Sequence, residues 1–119
     1  MIAGWVTQLR KGLLEYCVLN VLRRGASYGY EIVQALQQIE ALAVSESTIY
    51  PILNRLRAEK YLTTRDVPSA SGPPRRYFTL TPAGRLRLAE MRAHLDLLND
   101  ALNQLQQPLH EKDQHEPAG

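Results

Sequence analysis

Apolar positions recur along this chain first with a helical period, then with a period of two, then again with a helical one, and the changes of period mark its elements. Leu13, Leu14, Cys17, Val18, Val21 and Leu22 fall at helical spacing, so about Thr7–Arg24 reads as an amphipathic helix ending at Gly25-Ala26. A second helix, Tyr28–Leu42, turns Ile32, Val33, Leu36 and Ile39 inward and takes Ser27 as its cap. Gly29 in its first turn is poor for helix propensity and fits close backbone packing against a neighbour. After a short join at Ala43–Val44, Ile49, Ile52, Leu53 and Leu56 form one stripe of a third helix, Ser45–Tyr61, with Ser45 at its N-cap. Pro51 is tolerated if this helix starts near Ser47 and otherwise kinks it; either way it faces outward.

Leu62–Val67 and Arg75–Thr81 then read as two strands, the second with Arg76, Phe78 and Leu80 on one face and Arg75, Tyr77 and Thr79 on the other. Pro68–Pro74 between them reads as a loop. Thr81-Pro82 supplies a cap and a first-turn proline for a last helix. Along it Leu88, Met91, Leu95, Leu98, Leu102, Leu105 and Leu109 alternate spacings of three and four, a heptad seam. Pro82–Gln106 would run roughly 37 Å, longer than a body of about 80 residues is wide. The far leucines therefore need a second copy to cover them. Gln107–Gly119 is polar, holds two prolines and reads as frayed or disordered.

Two helices joined so tightly, the second followed by a hairpin, form a winged helix-turn-helix pattern. The expected fold is mainly α with a small β-hairpin wing. It divides into a DNA-binding domain at residues 1–81, a dimerisation helix at 82–107 and a tail at 108–119. The outer face of the third helix carries Ser47, Thr48, Tyr50, Pro51, Asn54, Arg55 and Ala58. It offers hydroxyls, an amide and a guanidinium but no carboxylate, which suits phosphate oxygens and base edges. A merely wet surface helix would look much the same, and the hairpin behind it tips the balance. Arg75 and Arg76 at the root of that hairpin can grip phosphates beside the groove that the helix enters.

Charge adds to this picture. Residues 1–87 hold 12 Lys/Arg against 6 Asp/Glu, net +6, while residues 88–119 hold 2 against 6, net −4. A basic body suits a polyanion partner, and double-stranded DNA is the expected one. Candidate chemistry is sparse. There is no Gly-rich phosphate loop, paired-Cys metal motif or Ser/His/Asp set, so an enzyme is not expected and neither a cofactor nor a metal is called for. His94, His110 and His115 all lie on the last helix or tail and read as solvated. Asp96 and Asp100 read as solvent-facing charges rather than an acid/base pair. Lone Cys17 lies in an apolar stripe and reads as a small buried hydrophobe; it excludes an internal disulfide and fits a reducing cytosol. No run approaches a membrane span, and the N-terminal charges follow a short apolar run, the wrong order for a signal peptide. The expected location is cytoplasmic.

The stretches KGLLEYCVLNVL (Lys11–Leu22), YGYEI (Tyr28–Ile32), STIYPILNRL (Ser47–Leu56) and GPPRRYFTLTPAG (Gly72–Gly84) resemble, in order, the PadR family of bacterial transcriptional regulators. YGYE together with TIYP-x-L-x-RL is a rather specific pair. The resemblance implies a winged helix-turn-helix homodimer, usually a repressor, with the long C-terminal helix as its interface. Carried over by position, Tyr50, Asn54 and Arg55 would face an operator, with Arg75 and Arg76 at the wing. Three residues depart from the family pattern. Ser47 and Lys60 stand where relatives commonly have Gly, and Leu95 stands where several carry a Trp lining an effector cavity between subunits. The last departure counts against aromatic stacking of a small-molecule effector, although Trp5, Tyr16 and the inner face of the last helix remain as lining. The competing expectation is a winged-helix module that binds another protein through the same face, without sequence-specific DNA binding. Salt dependence separates the two.

Overall fold

The inward positions of all four helices meet in one core. Val18, Leu19, Leu22, Ile32, Leu36, Ile49, Leu53 and Leu56 are fully buried there, closed below by Leu62, Phe78 and Leu80. A computed structural model describes residues 2–108 and has the order α1 (Ile2–Leu22), β1 (Ser27–Tyr28), α2 (Gly29–Gln37), α3 (Glu46–Ala58), β2 (Leu62–Ser69), β3 (Gly72–Leu80) and α4 (Pro82–Gln106). The fold is a winged helix: three helices on a small antiparallel sheet of order β1-β3-β2, with α4 continuing from the central strand β3. Leu109, His110, His115 and the tail beyond Pro108 lie outside the described residues.

Several boundaries differ from the sequence reading, each for a local reason. α1 begins at Ile2 rather than near Thr7, and its added turns leave Ile2, Trp5 and Leu9 exposed. Ser27 does not cap α2. Ser27 and Tyr28 instead pair with Phe78 and Tyr77 as a short edge strand, and the Tyr28 N–H donates to Glu31 Oε1 at 3.2 Å. α2 stops at Gln37 rather than Leu42, because the chain must reverse before α3. A 3₁₀ turn at Glu40–Leu42 makes the reversal, and Gln37 Nε2 ties it down by donating to the Val44 carbonyl at 3.0 Å. Ile39, expected inward, is 52% exposed as a result.

Ser45 does occupy the N-cap of α3, but its hydroxyl bonds the Ser47 and Thr48 hydroxyls, each at 3.0 Å, rather than a backbone N–H. Pro51 is the sixth helical residue, in the second turn rather than the first, and is exposed. The wing is longer than expected. Only Ala70 and Ser71 separate β2 from β3, so most of Pro68–Pro74 belongs to strands. Val67 pairs with Arg75 and Ser69 with Gly72, so Pro68 stands opposite both Pro73 and Pro74. One residue against two is a bulge, where missing N–H donors cost the ladder least.

The last helix starts as expected: Thr81 Oγ1 accepts from the Gly84 N–H at 3.0 Å and donates to the Lys60 carbonyl at 2.7 Å. A Cβ at Gly84 would collide with the Tyr61 carbonyl, so glycine is required at this crossing. Leu88, expected in a seam between copies, is buried in the chain's own core, with Met91 packed partly against it. α4 lies along the body as far as Leu95, and the turns beyond it project. Leu95 is half-buried, whereas Leu97, Leu98, Leu102 and Leu105 are exposed, the last by 79%. The molecule measures 75 × 33 × 21 Å.

Candidate nucleic-acid interface

Ile49, Leu53 and Leu56 anchor α3 in the core, so its opposite side must face solvent. Ser47, Thr48, Tyr50, Asn54 and Arg55 are all exposed. Tyr50 and Asn54 open onto a cleft of about 500 Å³ between α3 and the wing, whose other wall holds Asp66, Arg75 and Arg76. Tyr50 is seated by Gly29: a Cβ there would strike the tyrosine ring, so the glycine noted in the sequence serves this close approach. Partial burial, and then the nearby Glu46 carboxylate, push the Tyr50 hydroxyl above the ordinary tyrosine range. Tyr50 is therefore a neutral donor and acceptor at any physiological pH.

Glu46 corrects the expectation of a face without carboxylates. It opens α3 one turn before Tyr50 and is exposed. On the wing, Arg75 lies over the Tyr28 ring at 4.7 Å, and Tyr28 meets Tyr77 edge-on with centroids 5.3 Å apart. This stack orients the guanidinium at little entropic cost. Arg76 Nε donates to Asp66 Oδ1 at 3.3 Å, so its charge is partly offset within the wing. The stacking role of Tyr28 was hidden in the sequence, because it depends on a two-residue strand too short to have a period.

Arg55 does not join this cleft. Its Nη2 donates to Glu15 Oε1 at 2.9 Å and its Nη1 to Glu59 Oε1 at 2.8 Å. Arg87 of α4 donates to the other Glu15 oxygen, stacks over the Tyr61 ring at 4.6 Å and reaches the Tyr61 hydroxyl at 3.2 Å. Glu15 is thus held by two guanidiniums. Burial alone would raise its pKa, but hydrogen bonds and charge from Arg87 and Arg55 outweigh that and hold the carboxyl below the usual glutamate range. Cys17 is buried, and burial pushes its thiol up, away from the reactive thiolate.

A second hollow of about 330 Å³ lies between α1 and α4, lined by Leu13, Tyr16, Met91, His94 and Leu95 among others. Tyr16 and Leu95, considered in the sequence as lining of a cavity between subunits, here line a hollow within one chain, and Trp5 is not part of that lining. Among the described residues no cluster of His, Cys, Asp or Glu has the arrangement of a metal site, and no helix is long and apolar enough to cross a membrane.

A tight pair of helices, the second presenting polar side chains beside an arginine-bearing hairpin, defines a winged helix-turn-helix protein. Within that class the chain belongs to the Transcriptional regulator PadR-like family, which it matches over residues 18–90. It is 30% identical over 78 residues to the negative transcriptional regulator PadR of Bacillus subtilis (strain 168), a match covering 64% of this chain and 43% of that protein. The chain thus spans under half the length of that relative. The crystal structure of a PadR family regulator from Eggerthella lenta DSM 2243 superposes with a TM-score of 0.81 at 30% identity, covering 89% of this chain and 92% of the other. Bacillus subtilis PadR in complex with operator DNA superposes with a TM-score of 0.63 at 28% identity, covering 66% and 46%. The family consists of transcriptional regulators rather than enzymes.

Proposed function

We propose that this chain is a dimeric transcriptional repressor that binds a pseudo-palindromic double-stranded operator through α3 and the wing. One observation carries the reading: Tyr50 and Asn54 of α3 share a single cleft with Arg75 and Arg76 of the wing. In this reading Ser47, Thr48, Tyr50 and Asn54 meet base edges and nearby phosphates, and the wing arginines meet phosphate or sugar. The exposed leucines of α4 meet those of a second copy, which places two recognition helices about one helical turn, or a multiple, apart. A ligand in the hollow between α1 and α4 would act by favouring one spacing of the dimer. Leu95 gives that hollow packing area but no stacking plane.

The test is a selection of bound sites from random DNA, followed by titration of Tyr50→Ala and Asn54→Ala on the selected operator. Each variant that loses a base contact is expected to weaken operator binding by about 1–3 kcal/mol and to relax discrimination at one position. Full affinity and full specificity in the double variant would sink the recognition-helix assignment. Binding to a protein partner that ignores salt, with no DNA selected, would favour the interaction module.

A further inference from the structure

At about 100° per residue, Arg55 lies roughly 140° around α3 from Tyr50, away from the wing and toward α1 and α4. Both its terminal nitrogens are engaged by carboxylates, and Glu15, the central one, has a side chain only 13% exposed. Glu15 gives one oxygen to Arg55 of α3 and the other to Arg87 of α4. The Thr81 bonds to the Lys60 and Tyr61 carbonyls pin where α4 begins, while its packing further along is largely apolar, and apolar contact has no preferred direction. Charge-assisted hydrogen bonds from two planar guanidiniums do have one.

We propose that Glu15 is a positioning residue for operator recognition: by holding Arg55 and Arg87 on one carboxylate it fixes the angle between α3 and α4, and with it the half-site spacing the dimer accepts. Arg55 is then a strut and not a DNA contact. The inference rests on the operator-binding reading above. The lever is long. From Arg87 to Gln106, α4 runs roughly 28 Å, so a tilt of about 7° moves its far end by about one base-pair rise. In a two-fold dimer that displacement falls between the recognition helices. Without the Glu15 charge, Arg55 keeps only Glu59 and Arg87 keeps only Tyr61, no shared carboxylate joins the two helices, and the angle is free to change.

The experiment uses the full chain with Glu15→Gln and, since that change could compromise folding, also Arg55→Gln at a half-exposed side chain. Each is titrated on the wild-type operator, on operators with the half-site spacing changed by one and two base pairs, and on random DNA, over a salt series. Both variants are expected to lose about tenfold on the operator, to keep their affinity for random DNA and their salt slope, and to discriminate less between spacings. The double variant should be no worse than either single one, because both remove the same bridge. Arg55→Gln that weakens all DNA equally and lowers the salt slope by about one would make Arg55 a phosphate contact and overturn the proposal. A folded Glu15→Gln protein with the wild-type spacing preference would overturn it as well. Wild-type protein that selects no DNA would end the operator-binding reading and this one with it, and that outcome shows in the wild-type arm alone.

Discussion

Lys60 has a backbone φ of 68°, in the left-handed region that an L side chain resists. It stands just past α3, where the Tyr61 N–H bonds the Leu56 carbonyl at 2.9 Å and the Lys60 N–H bonds the Arg57 carbonyl at 3.0 Å. That pair of bonds is a Schellman ending, whose left-handed position favours glycine. The sequence already marked Lys60 as standing where relatives carry Gly, and the backbone supplies the reason. Lys60→Gly is expected to stabilise the fold by about 1 kcal/mol, read as a higher urea midpoint with an unchanged slope. Glu15 was less legible. Its partners lie 40 and 72 residues away in sequence, and no local pattern joins them. Because its folded-state pKa is depressed, its contribution to stability is complete above the ordinary glutamate range and is lost as pH falls through and below that range. Urea midpoints measured down that pH range should fall more steeply for wild type than for Glu15→Gln, and parallel curves would exclude the linkage.

At the scale of elements, periodicity found every helix and both wing strands, because each buries one face against the common core. It failed where tertiary contacts override local preference. β1 exists because β3 is there to pair with it, and α2 is cut short by the reversal into α3. The wing prolines suggested a loop because the bulge that accommodates them is a property of two strands together. The cleft was half legible: the polar face of α3 and the arginine pair could be read from composition, but not that Arg55 turns from them toward Glu15. Within the wing, Arg75 stacks on Tyr28 while Arg76 is paired with Asp66, so Arg75 carries the less compensated charge. Arg75→Ala is therefore expected to weaken operator and random DNA about equally and to lower the salt slope by roughly one. Loss confined to the operator, in titrations on both DNAs, would reassign Arg75 to base readout.

For the whole molecule, the heptad spacing foretold far leucines that the body does not cover, and Leu98, Leu102 and Leu105 are exposed. Where the arm leaves the body was not legible, since Leu88 and Leu98 look alike in sequence although the first is buried and the second is 48% exposed. Each leucine buried by a second copy contributes about 1.5–3 kcal/mol, enough in sum to offset the entropy of association. Leu98→Asp places a carboxylate twice in a symmetric seam and is expected to give monomers with much weaker DNA binding. Sedimentation at micromolar concentration reads this directly, and a wild-type monomer there would refute the pairing.

If a second copy covers the exposed leucines of the arm, as proposed, they also tie the fold to abundance. On the proposed dimer reading, a body whose last helix is covered by another copy gains stability by mass action, so its melting midpoint should climb as the chain is concentrated. A midpoint that does not change over a hundredfold range of concentration would break that link. In a cell, the same dependence would make such a regulator a gauge of its own copy number: sparse chains would be short-lived and weakly bound, and plentiful ones durable and tightly seated.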